Sequence, residues 1–98
     1  MKVRITPRAL AEAKRIKTWW RRRRLGNPAL FENELEGALE RIVAKPDIGI
    51  RYEGTQLKVS VLRLFMPRTK NHVYYVVEDD TIVVLSVWGA PKGEGPQF

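Results

Sequence analysis

Two apolar runs near the end of the chain, NHVYYVV and TIVVLSVW, stand on either side of Glu78-Asp79-Asp80. Val, Ile and Tyr at this density favour extended backbone, and the acidic break is short enough to close a tight hairpin. The second run is apolar on both faces of a strand, with Ile82 and Val84 on one and Val83, Leu85 and Val87 on the other. Such a strand belongs inside a sheet, and something must cover that sheet.

The cover is written upstream. KVRIT alternates apolar and basic residues, which predicts a strand over 2–6. Thr6-Pro7 then reads as a helix cap followed by proline at the first helical position. Ala9, Ala13, Ile16 and Trp20 recur at helical spacing, with Leu10 and Trp19 beside them, so a helix is expected over 7–25. Arg21 to Arg24 fall in its last turn, where cations complement the helix dipole. Gly26 is placed to end it in a left-handed turn. Asn27-Pro28 repeats the cap-and-proline signal, and Phe31, Leu35, Ala38 and Ile42 define a second helix over 28–44, stopped by Pro46. Two helices joined this closely form an antiparallel hairpin.

KPDIGIRYEGTQ has no periodicity and reads as loop. LKVSVLRLF predicts a strand over 57–65, followed by strands over 71–78 and 81–88 and an irregular tail over 89–98. The order is β-α-α-β-β-β. It defines an α+β fold, one domain over 1–98, with an N-terminal helical hairpin packed on an antiparallel sheet.

Charge bounds the partners. With 18 Lys+Arg against 11 Asp+Glu in 98 residues, the chain carries +7 and favours polyanions: nucleic acid, an anionic surface or an acidic protein. It has no cysteine, which removes disulfides and thiolate zinc sites and fits a reducing cytoplasm. No apolar run approaches the roughly 20 residues of a membrane span, and the charged N-terminus lacks a secretory core. One histidine is too few for a usual zinc site, and Asp79-Asp80 fit a solvated turn. No phosphate-binding glycine loop or nucleophile elbow occurs. No cofactor and no metal are expected.

Several blocks together resemble one known family. The element order, the loop KPDIGIRY, the segment LRLFMPRTKNHVYYVVEDDTIVVLSVW and the ending WGAPKGEGP look like the RelE/ParE family of bacterial type II toxins. The resemblance covers nearly the whole chain. It implies a small basic toxin of a plasmid-stabilisation type module, held inactive by a cognate antitoxin, encoded adjacently, that joins a DNA-binding domain to a wrapping segment. RelE-like members cut messenger RNA in the ribosomal A site, whereas ParE-like members poison DNA gyrase without hydrolysis. The Trp19-Trp20 helix end, the PRTKNHVYY turn and the long helical hairpin look more ParE-like.

Residue chemistry supports the same preference. RNA cleavage by its own 2′-hydroxyl needs a base, an acid and cations around the phosphate. Lys58, Arg63, Arg68 and Lys70 are the candidate cations, and His72 alone has an ordinary pKa near neutrality. Many relatives carry a histidine directly after the tryptophan of VW; here the chain has Gly89-Ala90-Pro91, and glycine supplies no proton. A non-hydrolytic gyrase inhibitor is therefore expected, with Arg63, Arg68, Lys70, Trp88 and Lys92 as target contacts. Trp19, Arg22, Arg23 and Tyr74 are the expected antitoxin contacts, since tryptophan beside arginine is the composition of an interface hot spot. The alternatives are a ribosome-dependent endoribonuclease and a non-toxic nucleic-acid-binding domain of the same fold.

Overall fold

A computed structural model describes residues 1–23, 26–89 and 95–98. Strand β1 (Lys2–Ile5) leads into helix α1 (Pro7–Arg23) and helix α2 (Leu30–Ala44). Short β2 (Ile50–Arg51), then β3 (Leu62–Met66), β4 (Asn71–Glu78) and β5 (Thr81–Gly89) complete one five-stranded sheet, ordered β1-β5-β4-β3-β2.

The fold is α+β, as expected, but the sheet is mixed. β2 to β5 pair antiparallel, whereas β1 lies parallel to β5, with Lys2 opposite Thr81 and Ile5 opposite Val84. The helices occupy the space between β1 and the later strands, and a crossover of that kind returns the chain parallel. β5 is thereby an inner strand. β2 arises within the segment read as loop, while residues 57–61 stay outside the sheet and β3 begins only at Leu62. Its Val and Leu content makes LKVSV look extended; among the described residues no strand pairs with 57–60, and at Val61 the carbonyl accepts the Tyr52 N–H at 2.8 Å, just outside the β2–β3 ladder.

Helix starts differ in their chemistry. Thr6 caps α1 as its residue type predicts: its Oγ1 accepts the Ala9 N–H at 3.1 Å, and its carbonyl accepts the Leu10 N–H. α2 begins later than Asn27-Pro28 imply. Its cap is Ala29, without a side-chain bond, and Asn27 contributes only a carbonyl to the Leu30 N–H. Gly26 does not adopt the left-handed conformation expected of it. The end of the arginine run, at Arg24, lies outside the described residues.

The sheet is covered on both faces. Under the helices, Ala9, Phe31, Ala38 and Ile42 pack on Leu64, Val73, Tyr75, Ile82 and Val84. On the outer face, Val61, Tyr74, Val76 and Val83 form a second cluster roofed by Tyr52 and Phe98. The last described residues are irregular but packed: Pro96 is buried, its carbonyl accepts the Tyr52 hydroxyl at 2.8 Å, and the Phe98 carbonyl accepts the Gln56 N–H.

Candidate functional site

The turn between β3 and β4 carries Arg68 and Lys70, and α2 holds it in place. The Glu34 carboxylate accepts the backbone N–H of Arg68 at 2.7 Å and of Thr69 at 2.9 Å, and the Thr69 hydroxyl at 2.7 Å. Lys70 closes the turn with a positive φ of 62°, its N–H donating to the Met66 carbonyl. A carboxylate that accepts three donors fixes a loop far better than solvent would.

Opposite this turn stands the C-terminal half of α1. The two enclose a groove of about 570 Å3. Trp19, Trp20 and Trp88 join Ile16 and Val87 in its apolar lining, while Arg15, Arg68 and Lys70 bring positive charge. Trp19 is 45% exposed and meets Trp20 edge to face, with ring centres 5.5 Å apart. The single carboxylate in the lining among the described residues, Glu12, is already engaged. Its Oε1 accepts the Ser86 hydroxyl at 2.8 Å and the Val87 N–H at 3.2 Å, and Arg8 lies 3.6 Å from its Oε2. Those donors face Glu12 because β5 bulges at Leu85, where its register against Tyr74 and Tyr75 shifts.

The sequence-expected residues therefore separate. Arg68, Lys70, Trp88 and Trp19 come together in the groove, and Arg22 and Arg23 stand with Trp19 in a neighbouring cleft. Arg63 and His72 lie on the outer face instead. Arg63 sits over the Tyr52 ring at 5.6 Å, and His72 stacks near Phe65, centres 5.0 Å apart. Burial, aided by the Arg63 charge, pushes the His72 pKa down, so the ring is neutral at pH 7. Lys58 is in the exposed loop before β3. Tyr74 corrects the expectation of a partner contact: it is 1% exposed, enclosed by Tyr52 and Phe98. Lys92 lies outside the described residues. Among the described residues, no helix is long and apolar enough to cross a membrane, and no cluster of three His or acidic side chains could hold a metal.

Glu34, Glu12 and Trp20 are the residues that sequence reasoning left out of the site. Trp20 reads as a core position by periodicity and does reach the core, but it also lines the groove. Nothing local marks Glu34 as the partner of a turn 34 residues away.

A helix pair on a mixed five-stranded sheet is the fold of a small RelE/ParE-type toxin. The chain belongs to the family described as ParE toxin of type II toxin-antitoxin system, parDE, which it matches over residues 3–90. Its fold is similar to a solved structure of the chromosomal ParDE toxin-antitoxin system from P. aeruginosa. The two share 18% identity and a TM-score of 0.58, over 91% of this chain and 95% of that one. No curated protein matches the chain.

Proposed function

We propose that this ParE-family chain is a cytoplasmic toxin that inhibits DNA gyrase by binding it, without breaking a bond, and is neutralised by a cognate antitoxin. One observation carries the non-hydrolytic reading. Arg68 and Lys70 line a groove that, among the described residues, has no histidine or tyrosine and whose one carboxylate has both oxygens engaged. Cations there can grip an acidic surface, but among the described residues no side chain in the lining is placed to move a proton. The apolar floor adds what a protein partner needs, with Trp19, Trp20 and Trp88 as anchors and cations at the margin. Trp19, an expected antitoxin contact, lines the same groove as the target contacts Arg68, Lys70 and Trp88, so neutralisation is by occupancy there.

The test is a supercoiling reaction with purified chain, gyrase, ATP and relaxed plasmid. Supercoiling should fall, with trapped cleavage complexes, and an Arg68→Ala/Lys70→Ala variant should lose at least tenfold in potency. Unchanged supercoiling at saturating protein would remove the gyrase reading.

A second reading rests on the outer face, where Arg63 lies over the Tyr52 ring and its charge acts on a neutral His72 beside Tyr74. A cation beside a neutral imidazole fits an endoribonuclease acting on ribosome-bound message. Primer extension on translated messages would then show A-site cuts that vanish in Arg63→Ala; intact messages in growth-arrested cells would dispose of it.

A further inference from the structure

Helix α1 carries cations around most of its circumference, and the structure sorts them. Lys17 and Arg21 turn toward α2 and pair with Glu32, at 3.8 and 3.1 Å, and Arg8 pairs with Glu12. Lys14, Arg15, Arg22 and Arg23 face away from the core and stand exposed, and none has an ion pair with a described residue. Lys14, Thr18 and Arg22 repeat every four residues along one stripe; Arg15, Trp19 and Arg23 do so along the next. Successive rungs are about 6 Å apart along the axis. Together these residues line a shallow cleft of about 450 Å3 that, among the described residues, contains no carboxylate.

We propose that this outward face of α1 binds the phosphate backbone of duplex DNA. Charge complementarity argues for a polyanion, since four cations that have no ion pair with a described residue line one cleft together with a hydroxyl donor. The lining argues against a peptide. Apart from Trp19 and side-chain stems it offers no apolar anchor, whereas the adjoining groove holds Ile16, Trp20, Val87 and Trp88. A single nucleic-acid strand is held in a groove by a series of stacking rings. Here the cations ride on a convex helix with one indole, itself set edge-on to Trp20. A rigid duplex needs no such rings, because phosphate contacts alone position it. The inference goes beyond the gyrase reading and does not require it: the chain has its own hold on DNA, whatever protein it meets there.

Anisotropy of a labelled random-sequence duplex, titrated with the full chain at several KCl concentrations, tests this. Each phosphate contact contributes a log–log salt slope of about −0.9, so four predict about −3.6, or roughly a hundredfold loss of affinity between 50 and 200 mM salt. Lys14→Ala/Arg22→Ala should halve that slope, leaving only about tenfold loss over the same range. Its melting temperature should stay at the wild-type value. Tighter binding of the matching single strand, or of polyglutamate, would overturn the proposal in favour of those ligands. So would duplex binding whose salt slope ignores Lys14 and Arg22, or no binding at 50 mM. Slope loss in the variant alongside a gyrase that the wild type leaves untouched would sink the gyrase reading and keep this one.

Discussion

His72 makes stability depend on pH in a direction its surroundings dictate. Burial and the Arg63 guanidinium both oppose protonation, so the folded pKa lies below the ordinary 6.5 of the unfolded chain. The unfolded state then binds the proton more readily. Stability from the neutral ring is whole above about pH 6.5 and is lost as pH falls through the folded value. The urea midpoint should therefore drop between pH 7 and 5 in the wild type, and His72→Gln should flatten that part of the curve. An equal drop in the variant would assign the effect to other groups. Tyr75 shows what a residue-scale reading of sequence misses. Its buried hydroxyl donates to the Pro46 carbonyl at 2.8 Å and accepts the Gly49 N–H at 2.9 Å. A β-carbon on Gly49 would stand 2.6 Å from that oxygen and 3.0 Å from the Arg63 carbonyl. Composition marks Gly49 only as a loop glycine. The reason for glycine there is a ring 26 positions on, which leaves no local trace.

Elements were legible where their cause is local. The two helices, the β4–β5 hairpin and the inner position of β5 all follow from periodicity and apolar faces. Asp79 supports the hairpin with a positive φ of 51°, tolerated by a short polar side chain. Elements were illegible where the cause is a distant partner: the parallel pairing of β1, the late start of β3 and the existence of β2. The groove falls between these cases. Its cations and indoles can be named from sequence, but their meeting depends on α2 gripping the turn at 67–70 through Glu34. Glu34→Ala should leave the turn's donors to solvent and destabilise the fold by about 1–3 kcal/mol. Glu34→Gln, which keeps an acceptor, should recover part of that. Chemical denaturation of both variants checks the ordering, and equal losses would mean that packing, not hydrogen bonding, holds the turn.

At the scale of the whole molecule, one side chain fastens the two faces of the sheet together. Arg8 pairs with Glu12, which holds the β5 bulge beside the groove. It also donates to the Gln97 carbonyl at 2.7 Å and lies 5.1 Å over the Phe98 ring. Phe98→Ala should therefore loosen more than its own contacts. It should lower stability by roughly 1–3 kcal/mol and raise exposure of the outer face, read as faster amide exchange across β4. Unchanged exchange there would show the tail to be ornamental. The parallel seam between β1 and β5 has a consequence in time. Residues 2–5 cannot settle until residues 81–84 have been synthesised, so they leave the ribosome before the strand they pair with. At about 5–20 residues per second the wait is on the order of several seconds. During that interval Val3 and Ile5 stay bare, and the sheet lacks one edge. Translation itself delays the finished shape, and a partner already present has first access to the nascent chain.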